Sequence, residues 1–291
     1  LSRRGPGLLL RDIQRGKDPQ IDAVVAVIVS VSPDILLLTE VDWDLDGIAL
    51  DAFATVLASA GINYPHRLAP RPNSGMMTDL DLDGDGRFGG PRDAQGFGHF
   101  TGEAGMALLS RWPIDSDALA DFSDLLWQDL PGAILPTTGG KPFPSTEAQA
   151  IQRLSSVGHW AVPVASPNGQ IWVAAFHATP PVFDGVEDRN GLRNRDEAAL
   201  WLRWLDGALK TKAPEGPLVI MGDANLDPAD GDGRPDALNA LLDHNRLRDP
   251  IPKSAGGPAA AKRQGGANFD HTGDPALDTA DWSDASDTGR N

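Results

Sequence analysis

The sequence predicts a layered α/β protein on three observations. Four short apolar runs occur, at Ile35 to Leu38, Met106 to Ser110, Ile171 to Phe176 and Leu218 to Met221, and all but the second end in a polar tip. Other segments carry apolar residues three and four apart, the spacing of one helix face. Thirty-two glycines and 24 prolines make the chain too rich in turns for a helical bundle.

The elements follow in order. Gln20 to Ser32 sets Ile21, Val24, Val25, Ile28 and Val31 on one stripe, so a helix is expected, ending before Pro33. Ile35-Leu36-Leu37-Leu38, closed by Thr39-Glu40, reads as a strand buried on both faces. Asp46 is the expected cap of a second helix, with Ile48, Ala52, Phe53, Val56, Leu57 and Ala60 on its face and Gly61 at its end. From Leu68 to Thr101 no period is visible, and a long loop is expected. Met106 to Ser110 is the next strand, stopped by Arg111-Trp112-Pro113, and the weakly patterned stretch 115–152 is expected to cover one face. Ile171 to Phe176 is a strand tipped by His177. A helix is expected from Arg195 to Leu209, with Ala198, Trp201, Leu202, Leu205 and Leu209 on its stripe. Leu218 to Met221 is a last buried strand, tipped by Gly222-Asp223-Ala224-Asn225. Residues 253–291 turn to Gly, Ala, Asp and Pro and read as a loosely ordered tail on a single domain spanning 1–291.

Composition narrows the class. Lys and Arg number 25 against 41 Asp and Glu, a net charge of −16 that excludes a basic nucleic-acid glove. With 41% hydrophobic residues the chain can bury a core, which excludes disorder throughout. No window reaches the roughly 18 apolar residues of a membrane helix. The lack of cysteine removes disulfides, zinc–thiolate sites and thiol catalysis. No charged-then-apolar leader precedes Leu1, so the expectation is either a protein that stays inside or a sequence already trimmed.

Glu40, His177 and the pair Asp223 and Asn225 each close a buried strand with groups that packing does not require. If the strands lie side by side, their tips form an acidic pocket holding carboxylates, an imidazole and an amide. Such a set suits a hard divalent cation with a phosphate beside it.

Four segments carry a resemblance: Pro33-Asp34-Ile35-Leu36-Leu37-Leu38-Thr39-Glu40-Val41, Gly105-Met106-Ala107-Leu108-Leu109-Ser110-Arg111-Trp112-Pro113-Ile114, Phe176-His177-Ala178-Thr179-Pro180 and Met221-Gly222-Asp223-Ala224-Asn225. In this order, over roughly residues 20–235, they resemble the endonuclease/exonuclease/phosphatase superfamily, of deoxyribonuclease I-like fold. The resemblance implies a four-layer sandwich of two packed β-sheets flanked by helices, of α/β (α+β) class. It also implies a divalent-metal-dependent phosphoric ester hydrolase using Mg²⁺ or Mn²⁺. By position, Glu40 would hold the metal, His177 would contact the phosphate and move a proton, Asp223 would orient or deprotonate water, and Asn225 would hydrogen-bond phosphoryl oxygens.

The chain departs from the family at both ends. The family begins with a strand ending in a site Asn and finishes with strands bearing a site Asp and a Ser-Asp-His. Leu1 starts too late for the first, and 291 residues close in a polar stretch, so the terminal strands are expected to be lacking and turnover by this chain is left open. Asp270-His271 is a candidate catalytic pair, with an ordinary turn as its alternative.

Asp79, Asp81, Asp83 and Asp85 form a candidate Ca²⁺ loop: counting from Asp81, Asp83, Asp85 and Gly86 fall at positions 3, 5 and 6, while Arg92 replaces the final Glu. A solvated acidic loop is the alternative. Asp227, Asp230, Asp232 and Asp236 read as a weaker second site or plain turns. Glu103 is a candidate partner of His177, and Arg189, Arg193 and Arg195 either meet an anionic substrate or lie on a solvated helix start. Trp160, Trp172, Trp201 and Trp204 have the spacing of core residues.

The acidic charge offers little attraction to polyanions, so a sugar, lipid or other small phosphoester is favoured slightly over nucleic acid. The alternative of another class is a non-catalytic Ca²⁺-binding extracellular module on the same fold. The calcium loop leans towards an extracellular or periplasmic location. Oligomeric state is left open.

Overall fold

The computed structural model describes residues 1–279; the last part of the expected tail, 280–291, lies outside the described residues. Two helices open the chain, α1 (Leu8–Arg15) and α2 (Pro19–Val31). Asp18 starts α2: its carboxylate accepts from the N–H groups of Gln20 and Ile21, and Pro19 takes the first helical position. Strand β1 (Ile35–Val41) follows, then α3 (Ile48–Ser59). Its cap is Asp44 and not Asp46. The two Asp44 oxygens accept from the N–H groups of Ile48 and Ala49, both at 2.8 Å, across a turn made by Gly47 at φ +66°.

β2 (His66–Leu68) and β3 (Gly105–Ser110) complete the first sheet, antiparallel in the order β1-β3-β2. Between them the expected loop runs with a single 3₁₀ turn, Pro91–Asp93. The buried Asn73 fixes its start by donating to the carbonyls of Ser123 and Ser155 and accepting from Arg153.

The weakly patterned middle forms β4 (Ala120–Asp121), the ribbon β5 (Thr137–Thr138) and β6 (Lys141–Pro142), and α4 (Thr146–Ile151). Then come β7 (Gly158–Ser166) and β8 (Gly169–His177), an antiparallel hairpin turning on Pro167-Asn168. β7 escaped the sequence pattern because Pro163 and small residues interrupt its apolar alternation. α5 (Arg189–Leu205) crosses over to β9 (Leu218–Asp223), which pairs parallel to β8, giving the second sheet in the order β4-β7-β8-β9. α5 starts six residues before the expected Arg195 and ends at Leu205. Its early turns bury Arg193, Asn194, Asp196 and Glu197 instead of an apolar stripe. α6 (Asp236–Leu242) packs on α5, and α7 (Gly256–Gln264) forms within the segment whose composition read as coil.

Three apolar cores separate four layers. Leu36, Leu38, Ala107 and Leu109 face α1, α2 and α3, whereas Ile35, Leu37, Met106 and Leu108 face the second sheet. There they meet Trp160, Val162, Val164, Val173 and Ala175. The opposite face of that sheet presents Ala161, Ala174 and Phe176 to Trp201 and Trp204 of α5. The alternation of β1, β3, β7 and β8 thus feeds two cores at once. This is the four-layer sandwich of two sheets flanked by helices.

Candidate active site

The parallel ladder between β8 and β9 ends with His177 opposite Asp223. Both follow residues whose alternation points them between the sheets, Ala175 and Met221. His177 Nε2 lies 3.7 Å from Asp223 Oδ2. Gly222 permits this approach, since a Cβ there would stand 2.0 Å from the Phe176 carbonyl oxygen. Burial pushes the His177 pKa below its ordinary value, against the opposing pull of Asp223 and Glu40, so the ring is neutral near pH 7. Its Nδ1 is buried with no hydrogen-bond partner among the described residues.

Glu40 arrives by a different device. The register of β1 against β3 shifts between Leu38 and Val41, and Glu40 sits there with φ +53°. Val41 therefore joins Leu38 on the helical side, and Glu40 is turned into electrostatic range of His177. β1 and β9 approach one another across the sandwich. The Glu40 carboxylate is exposed and makes neither hydrogen bond nor ion pair among the described residues. A free carboxylate beside a second carboxylate fits a hard divalent cation.

Asn225 adopts φ +49°, a conformation its side chain tolerates. Its N–H donates to Asp223 Oδ1 at 2.8 Å, and one Nδ2 hydrogen goes to the Ala178 carbonyl, also at 2.8 Å. The second amide hydrogen and Oδ1 carry no bond among the described residues. A neutral imidazole, two carboxylates and a fixed amide donor converge here, a set able to move a proton and bind phosphoryl oxygens.

Helix α5 supplies residues that the sequence pattern did not single out. Glu197 is fully buried; Oε1 accepts from the N–H and hydroxyl of Ser156, and Oε2 from the N–H of Thr179. Burial pushes its carboxyl up to about 7, against Arg193 and those N–H donors. Asn194 donates through Nδ2 to the carbonyls of Thr179 and Ala224. No sequence signal marked them, since Asn194 precedes the expected helix start at Arg195 and the burial of both comes from the fold.

Other candidates fall elsewhere. Glu103 accepts from the backbone N–H and Nδ1 of His99 and does not pair with His177, because the turn after Gly102 aims it along its own loop. Arg193 does not face a substrate: its buried guanidinium donates to the carbonyls of Gln95, Arg153, Leu154 and Ser155. Arg195 pairs with Asp196 and Asp236. Arg189 is buried, which lowers its pKa to about 10, and its Nε has no partner among the described residues. His271 lies in electrostatic range of Asp230 and Asp278, while the Asp230 carboxylate is taken by the N–H groups of Thr272 and Gly273 and the Thr272 hydroxyl. Asp270, in a turn, and His271 thus border the loop after Asn225. Oxygens of Asp81, Asp83 and Asp85 gather within 4.8 Å of one another, and Asp79 stays outside that group. Burial would raise the Asp81 pKa, but the N–H groups of Gly86 and Gly84 hold it below the usual carboxylate value.

A model of the Endonuclease/Exonuclease/phosphatase family matches residues 13–290. No curated protein matches the chain. Among solved structures, sphingomyelinase C from Streptomyces griseocarneus is similar at 15% identity and TM-score 0.42, covering 78% of this chain and 62% of that one. The human Nocturnin catalytic domain is similar at 15% identity and TM-score 0.44, over 80% and 70%. Truncated TDP2 from Caenorhabditis elegans is similar at 14% identity and TM-score 0.37, over 76% and 60%. The chain spans about three fifths of the sphingomyelinase it matches. At these identities and scores the likenesses bear no weight for chemistry or substrate. The family match covers nearly the whole chain and agrees with the four layers and the converging strand tips, and the chain belongs to the Endonuclease/Exonuclease/phosphatase family.

Proposed function

We propose that the chain carries the site of a divalent-metal-dependent hydrolase of a phosphodiester or phosphomonoester, with a small, lipid or sugar phosphate as substrate in preference to DNA. The observation that carries the reading is the His177–Asp223 contact at 3.7 Å with Glu40 turned towards it by the bulge. Glu40 would hold Mg²⁺ or Mn²⁺, which when bound supplies positive charge to the phosphate and lowers the pKa of water. The neutral imidazole of His177 would take or return a proton at Nε2, and Asp223 would orient water and steady the ring's charged form. The unspent Nδ2 hydrogen of Asn225 would donate to a phosphoryl oxygen. The charge of −16 supports a small substrate, since long-range attraction to a polyanion is lacking.

The gathering of Asp81, Asp83 and Asp85 supports a second reading, a non-catalytic Ca²⁺-binding module suited to a calcium-rich exterior.

Bis(4-nitrophenyl) phosphate and 4-nitrophenyl phosphate, assayed with Mg²⁺, Mn²⁺ or Ca²⁺, separate the two. The hydrolase reading expects turnover that Asp223→Ala cuts by at least about 100-fold and that changes by less than about twofold between low and physiological salt, unlike the steep dependence of duplex binding. Silence with every metal, together with a melting temperature raised by Ca²⁺, favours the binding module.

A further inference from the structure

We propose that Asn194 and Glu197 of α5 are positioning residues that hold the His177 and Asp223–Asn225 loops at their working separation. The inference rests on the hydrolase reading of that site. The β8–β9 ladder stops at His177 and Asp223, with one further backbone bond from the Ala178 N–H to the Asp223 carbonyl at 2.9 Å. Beyond it the two chains diverge, and side-chain amides take over the work of the ladder. Asn225 reaches Ala178 O at 2.8 Å. Asn194 spans the gap, with Nδ2 giving one hydrogen to Thr179 O at 2.8 Å and the other to Ala224 O at 2.7 Å. Glu197, one turn on, accepts from the Thr179 N–H at 2.6 Å, so both peptide groups of Thr179 are gripped from the same helix face.

The same carboxylate ties in Ser156, whose hydroxyl also reaches towards the His177 carbonyl at 3.3 Å. The site histidine is thus braced through its own peptide and through the residue two positions on. Packing does not account for Asn194. It is 1% exposed and its Oδ1 has no partner among the described residues, so an apolar side chain would be less costly at that place if only space had to be filled. What the amide uniquely supplies is two donors at the spacing of two carbonyls on different strands.

The test is Asn194→Leu in the full chain, which keeps the branched shape and removes both donors, with 4-nitrophenyl ester kinetics, a melting curve and the NMR signals of the His177 ring. Positioning expects a fall in kcat of about 100-fold with KM within about threefold, as loss of near-attack geometry gives, in a protein folded at the assay temperature and with the His177 signals displaced. A folded variant with kcat within about twofold of wild type overturns it. If Asn194→Leu does not fold, Asn194→Ser keeps one donor: an intermediate kcat at full folding supports positioning, and a loss that only tracks the folded fraction overturns it. If the wild type turns over neither ester, the hydrolase reading fails. The brace is then decided by NMR alone, where unmoved His177 signals in Asn194→Leu reject it and displaced ones sustain it.

Discussion

Leu38 and Val41 bury against the same helical layer, although an uninterrupted strand would send residues three apart to opposite faces. The extra residue that reconciles them is Glu40, held at φ +53° with its carboxylate swung out of the strand's alternation. Backbone strain and candidate metal ligand coincide at one position.

Glu40→Gly is therefore expected to stabilise the fold while removing metal-dependent turnover. A non-glycine residue in the left-handed region costs of order 1–3 kcal/mol, and the added freedom of glycine in the unfolded chain returns part of it. The net expectation is a gain of about 1 kcal/mol in a urea titration, with Mg²⁺- or Mn²⁺-dependent hydrolysis lost. A destabilised Glu40→Gly would mean the bulge is set by something other than the carboxylate's conformation.

Two buried groups that touch each other should tilt the pH dependence of stability in opposite senses. His159 donates from one ring nitrogen to the Glu197 carbonyl and receives the Ser155 hydroxyl at the other, and burial lowers its pKa to about 3 from 6.5. The unfolded chain therefore binds the extra proton first, and this contribution is complete above about 6.5 and lost as pH falls. Glu197 has its pKa raised from 4.5 to about 7, so the folded chain holds the proton and its contribution is lost as pH rises through that range. Between pH 5 and 6.5 the two slopes, each about 1 kcal/mol per pH unit, oppose. Denaturation midpoints should fall with rising pH in His159→Gln and climb in Glu197→Gln. Parallel slopes would refute the assignment.

Gly222→Ala tests the sheet register beneath the site. A methyl group 2.0 Å from the Phe176 carbonyl oxygen forces β8 and β9 apart. The expected cost is about 2–3 kcal/mol, with hydrolysis lost even where the protein stays folded. Unaltered thermal stability and rate would show that the strands are free to separate there.

Much of the fold could be read from continuous apolar runs, which marked β1, β3, β8 and β9, and from the polar tips that placed Glu40, His177, Asp223 and Asn225 in one family pattern. What escaped depends on long-range burial. Pro163 disguised β7, and the cap of α3 lies across Gly47, outside the expected position. Arg193 has the composition of a surface charge, yet four carbonyls from distant segments surround it. The orientation of Glu40 rests on a bulge that no periodicity announces.

The layer order also bears on how the chain emerges during synthesis. The first sheet is complete at Ser110, but its inner face, Met106 and Leu108 included, has no cover until β7 and β8 follow. β8 ends at His177, about 67 residues later, several seconds at a rate of roughly 5–20 residues per second. During that interval the emerging segment has a core on its helical side and a bare apolar surface on the other, the kind of surface that favours association before folding is complete.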